Sequence, residues 1–110
     1  MPKVNWTQVA SGVEAAVKGV LGIGWQTVSA AAGPQIQAMI SVAQSIETAN
    51  ANNKLTPAEY QSLKSMQKNA LEGILSGYEA IGIVVAEQAA AAAWDVIATA
   101  LKTAAGIAFA

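Results

Sequence analysis

Ala49-Asn50-Ala51-Asn52-Asn53-Lys54-Leu55-Thr56-Pro57-Ala58-Glu59 is the stretch where the apolar periodicity of the chain stops. Three asparagines fall within four positions, Asn50, Asn52 and Asn53. Their amides bond nearby backbone and they tolerate a positive φ, so they compete with a helix instead of extending it. A helix start follows at once. Thr56 is a capping residue, Pro57 suits the first helical position, and Glu59 stands three residues after Thr56 to close a capping box. The chain thus divides into a helical arm over about residues 5–48, a joint over 49–56 and a second arm over about 57–109.

Working outward, each arm repeats apolar residues at helical spacing. In the first, Asn5 is a cap with Gln8 three residues on, and Trp6, Val9, Val13, Val17, Val20 and Leu21 follow. Gly19, Gly22 and Gly24 soften the helix by about 1 kcal/mol each relative to Ala, which predicts a bend. Gly33-Pro34 reads as a firmer break, since Gly suits the residue past a helix end and Pro the next start. Ile36, Met39, Ile40, Ala43 and Ile46 then resume the period. In the second arm, Tyr60, Leu63, Met66, Leu71, Ile74, Leu75, Tyr78, Ile81 and Val85 trace a wide apolar face. Gly73, Gly77 and Gly82 could host a kink there, but nothing demands a stop. The expected fold is all-α, a helical hairpin or small bundle in a single domain, completed by oligomerisation.

Composition narrows the chemistry. The 110 residues contain no Cys, no His and no Arg, which removes thiol and imidazole chemistry and nearly all zinc or copper sites. Six Lys against seven acids leave a net charge of −1, no footprint for a phosphate backbone, and so no nucleic-acid partner is expected. No cofactor is expected either. Apolar residues make up 54% and charged ones 12%, and about a quarter of the chain is Ala. A chain with so little charge struggles to cover its surface with polar groups, which points to a partner, a copy of itself or a membrane.

Other motifs weaken on inspection. With Thr48 as the first position, residues 48–59 resemble a degenerate EF-hand loop: Asn50 and Asn52 fall at ligand positions three and five and Glu59 at twelve. The first ligand is Thr instead of Asp, position six is Asn53 instead of Gly, and one carboxylate remains, so a structural joint is the better reading. Gly19-Val-Leu-Gly22-Ile-Gly24 lacks the spacing, the strand and the Lys of a phosphate loop. Glu72, Glu79, Glu87 and Asp95 recur along the second arm and read as a solvated face, with a polar lining of an oligomer's lumen as the alternative. The small residues carry more. Gly73 and Gly77 form a GxxxG with Ala80 nearby, and Ala86, Ala90 and Ala93 continue the row, as expected of close helix packing or an oligomer interface.

A membrane role is the competing expectation. Residues 19–46 are uncharged but hold four Gln and the Gly33-Pro34 pair, while Glu79, Glu87 and Asp95 cut the second arm short of the ~20 apolar residues a span needs. No clear constitutive transmembrane helix is expected, and the N-terminus does not read as a Sec-type signal peptide. Trp6, Trp25 and Trp94 are candidate interfacial anchors. In size, Ala content and the Asn-Lys-Leu-Thr-Pro-Ala-Glu joint, the chain is similar in overall character to the short helical virion or lysis proteins of bacteriophages. The expected function is therefore a non-enzymatic, self-assembling structural or interaction protein of virion-subunit type. The alternative is a membrane-active, holin- or pore-like oligomer that inserts conditionally.

Overall fold

In a computed structural model, which describes residues 4–105, the chain forms four helices: α1 (Trp6–Leu21), α2 (Gly24–Ala51), α3 (Pro57–Ser76) and α4 (Ile83–Ala105). No strand occurs among the described residues. Local chemistry sets the helix ends. Asn5 caps α1, its Oδ1 accepting from the Gln8 backbone N–H at 3.2 Å. Gly22 closes α1 at φ 58°, a left-handed value Gly adopts at no steric cost, and its N–H donates to the Lys18 carbonyl at 2.8 Å. After α2, Asn52 Nδ2 donates to the Thr48 carbonyl at 3.0 Å and Asn53 takes φ 56°. Thr56 Oγ1 then accepts from the Glu59 backbone N–H at 3.1 Å and donates to Glu59 Oε1 at 2.9 Å. Replacing Thr56 by Ala removes both bonds and should lower stability by about 1 kcal/mol, read as a fall in the urea midpoint at unchanged slope.

Two boundaries differ from the sequence expectation. Gly33 and Pro34 do not interrupt the first arm, because α2 runs through them. A proline inside a helix costs ~3 kcal/mol or more, and packing offsets it here. Val28, Ala32, Ile36, Met39, Ala43 and Ile46 are buried as one stripe at steps of three and four that crosses the proline. Pro34 and Ala30 both face solvent, so water can reach the Ala30 carbonyl that Pro34 cannot bond. The arm breaks instead at Gly22-Ile23.

The second arm is two helices, parted by residues 77–82. The Ile81 and Gly82 N–H groups both turn back to the Tyr78 carbonyl, and Gly82 sits at φ 76°. A continuous helix would be ~80 Å long with an apolar face and nothing to cover its far half. Folding back lets α3 bury Tyr60, Leu71 and Leu75 while α4 buries Ala86, Ala89, Ala90, Ala93, Trp94, Ile97 and Leu101 in the same core. The expected end of this arm near residue 109 lies outside the described residues.

Each helix packs on its neighbours in sequence, α1 also packs on α4, and α2 meets α4 across the bundle. The 42 × 26 × 18 Å shape has its long axis equal to the length of the 28-residue α2 at ~1.5 Å per residue. With helices alternating in direction, the 22–23 turn and the 77–82 connection share one end of the bundle. The 52–56 connection and the start of α1 occupy the other.

Candidate interaction surfaces

The row of small residues divides between inside and outside. Ala86, Ala90 and Ala93, with Ala89 between them, are at most 1% exposed and line the core face of α4. Where α1 approaches α4 stands Gly12, whose added Cβ would lie 3.2 Å from Val96 Cγ1. Gly73, by contrast, is exposed, with nothing within 4 Å of where a Cβ would stand. Gly77 and Ala80 are exposed too, and both fall in the connection after α3. The GxxxG and the alanine row therefore do not form one continuous face, because residues 77–82 interrupt the helix between them.

The tryptophans also separate. Trp94 is 1% exposed, and its Nε1 donates to Tyr60 Oη at 3.2 Å inside the bundle. The two rings are tilted by 59° with centroids 6.3 Å apart. At that position Trp94 cannot meet a bilayer while the bundle stays folded. Trp6 is half-buried and donates from Nε1 to Glu47 Oε1 at 3.4 Å, joining the start of α1 to the end of α2. Trp25 is half-buried at the opposite end.

Glu79, Glu87 and Asp95 are exposed and Glu72 half-exposed. Among the described residues no group of three or more acids comes together that could hold a metal ion. The EF-hand likeness does not extend to geometry. Thr48 and Asn50 lie within α2, Thr48 Oγ1 donates to the Gln44 carbonyl, and Glu59 is engaged with Thr56. Every buried side-chain nitrogen and oxygen among the described residues has a partner. Among the described residues one helical stretch, Ile83–Thr103, is long and apolar enough to cross a membrane. Its buried face is the core just described, so it gives no clear constitutive transmembrane helix.

Sequence reasoning missed the outer face of α2. Gln26, Thr27, Ala30, Pro34, Gln37, Ala38, Ser41, Gln44, Ser45 and Thr48 all face solvent, and none is charged. The single charge on this helix, Glu47, is half-buried beneath Trp6. Two of its hydroxyls bond the helix's own backbone: Ser45 Oγ donates to the Ser41 carbonyl at 3.2 Å and Thr48 Oγ1 to that of Gln44 at 3.1 Å. What remains outward is uncharged, small residues and Pro34 interspersed with the amides of Gln26, Gln37 and Gln44. Shallow grooves flank the ridge. One lies against α1 between Trp6, Glu14, Gln37 and Gln44, and the other lies near Ser41, Ser45, Asn52 and Lys54. The signal was present in the sequence as the charge-free run 19–46, but it became a surface only once the buried stripe of α2 was known.

Comparison with protein-family models, curated proteins and solved structures finds no match to this chain.

Proposed function

We propose that this chain is a non-catalytic, self-assembling helical subunit whose copies pack through the outer face of α2. The observation that carries the reading is that a 28-residue helix has no charged residue at any of its exposed positions, its single charge being the half-buried Glu47. Charged residues are depleted at the core of protein interfaces because a buried charge must be stripped of water. Small side chains also let a second helix approach to the ~8–10 Å of ordinary helix packing. The flanking grooves supply the recesses into which a facing ridge would settle. A side of the bundle measuring 42 × 26 Å is broad enough for the ~800 Å² that each partner contributes to a stable interface.

Light scattering on a sizing column tests this. The expected result is one soluble species of defined mass above that of the 11.2 kDa chain. Ser41→Lys, an exposed site, should shift that mass to the monomer while the helical circular dichroism is kept. A monomeric wild-type protein up to high micromolar concentration would overturn the reading.

The membrane-active alternative, conditional insertion as an oligomer, requires more of the molecule. α4 would have to leave the bundle and exchange its packing of Ala86, Ala93, Trp94 and Ile97 for lipid. Exposed Glu87 and Asp95 would then need a water-filled lumen, since an acid at the centre of a bilayer costs ~2.5–3.5 kcal/mol on insertion scales. That reading is supported by the length and apolarity of Ile83–Thr103. Release of dye from vesicles would distinguish it from assembly in water.

A further inference from the structure

Four large apolar side chains are exposed among the described residues, and three of them, Ile23, Ile83 and Val84, belong to the same end of the bundle. Ile23 stands in the 22–23 turn, and Ile83 and Val84 open α4 directly after the 77–82 connection. A Cβ on Gly24 would lie 2.9 Å from Ile81 Cδ1, so the start of α2 rests on the connection between α3 and α4. Ile23 is 92% exposed and Ile83 and Val84 are each 64% exposed.

Ile23 precedes α2 in a helical conformation, φ −64° and ψ −20°, and the first-turn N–H groups of Trp25 and Gln26 already donate to the Gly22 and Ile23 carbonyls. No local bond calls for an isoleucine there, yet its full side chain stands in water. Sites where local rules fail without structural gain are where function is expected.

We infer that this end of the bundle is a lipid-contacting tip, which rests a neutral bilayer surface on Ile23, Ile83 and Val84 without unfolding. Size argues for lipid over a second copy. The end face spans only 26 × 18 Å, and its apolar part is three side chains, well short of the ~800 Å² each partner gives to a stable dimer. A bilayer sets no such threshold, because binding to it scales with whatever apolar area is inserted. Charge argues against an anionic surface. No Lys or Arg occurs over 19–26 or 77–86, and the one charge in the two turns is the exposed carboxylate of Glu79. Trp25 and Tyr78, both half-buried, stand beside the tip in sequence with the amphipathic rings that favour the headgroup level. The inference does not depend on the α2 interface, which occupies a side of the bundle instead of its end.

Co-sedimentation of the full chain with phosphatidylcholine vesicles tests it. Wild-type protein should partition onto them, and raising the salt should not release it. Ile23→Ser should weaken partitioning roughly tenfold or more, yet leave the melting temperature unchanged, because a side chain 92% exposed gives the fold little packing to lose. Loss of binding without loss of stability is what a purely structural Ile23 would not give. Ile23→Leu should retain binding, and Ser41→Lys should retain it even as a monomer. Absence of vesicle binding by the wild type would overturn the tip. So would binding that needs anionic lipid and falls with salt, or Ile23→Ser lowering the mass in lipid-free buffer.

Discussion

Replacing Trp94 by Ala should cost about 3–5 kcal/mol of folding free energy, the largest loss expected from any single exposed-to-core comparison in this bundle. Trp94 is the largest of the fully buried side chains. It stands on the core face of α4, where its ring meets Tyr60 of α3. Truncation removes three things: the apolar area of the indole, a tilted aromatic contact worth ~0.5–1.5 kcal/mol beyond that area, and the Nε1–Oη hydrogen bond. The alanines around it, Ala90 and Ala93, are too short to collapse into the space, so most of the cavity should persist. A domain of this size has ~5–15 kcal/mol in total, so the variant should unfold at a sharply lower urea concentration or fail to fold at 37 °C. Tyr60→Phe isolates the polar part. It keeps the ring and leaves the buried Trp94 N–H without its acceptor, for a smaller loss of about 1–3 kcal/mol. A loss below 1 kcal/mol for Trp94→Ala would mean that the residue does not sit in this core, and would reopen its reading as an interfacial anchor.

The helical class and much of the core were legible because they depend on spacing alone. Val9, Val13, Val17 and Leu21 repeat at four-residue steps and all four are buried, as are Ile36, Met39, Ile40, Ala43 and Ile46. The caps at Asn5 and Thr56 were legible for the same reason, since each needs only a side chain and a backbone within one turn. What failed was weighing local signals against distant packing. Gly33-Pro34 has stronger breaking chemistry than Gly22-Ile23, yet a buried stripe carries α2 across it, whereas at Gly22 the chain reverses to lay α2 on α1. Likewise, of the three glycines that weaken this arm, Gly73 stays helical while Gly77 and Gly82 bracket the turn, where Gly82 takes φ 76°. The need to cover two apolar faces with each other selects the later pair. Met66 fits the apolar period but is 60% exposed, because the period of an amphipathic helix gives a direction and not the width of what covers it.

The alanine row and the GxxxG can be separated by a matched pair of substitutions. Ala90→Leu should cost about 1–3 kcal/mol or more, because Ala90 is 1% exposed on the buried face of α4, and three added carbons must be fitted into a packed core. They must displace neighbouring core side chains from their rotamers or push α4 outward. Gly73→Ala should act in the opposite sense. Gly73 is helical and exposed, and an added Cβ there meets nothing within 4 Å. Its gain of about 0.4–1 kcal/mol comes from the unfolded chain, which loses conformational freedom when Gly becomes Ala. Thermal unfolding at one protein concentration reads both signs. Mass by light scattering then asks a different question of the same proteins. If only the alanine row serves packing within one chain, Gly73→Leu should leave both mass and helicity as they are. A fall in mass on Gly73→Leu would bring the GxxxG into an intermolecular contact, and the assembly surface would then extend from α2 onto α3. Loss of stability without loss of mass in Ala90→Leu, beside gain of stability without change of mass in Gly73→Ala, is the pattern that a self-contained four-helix bundle requires.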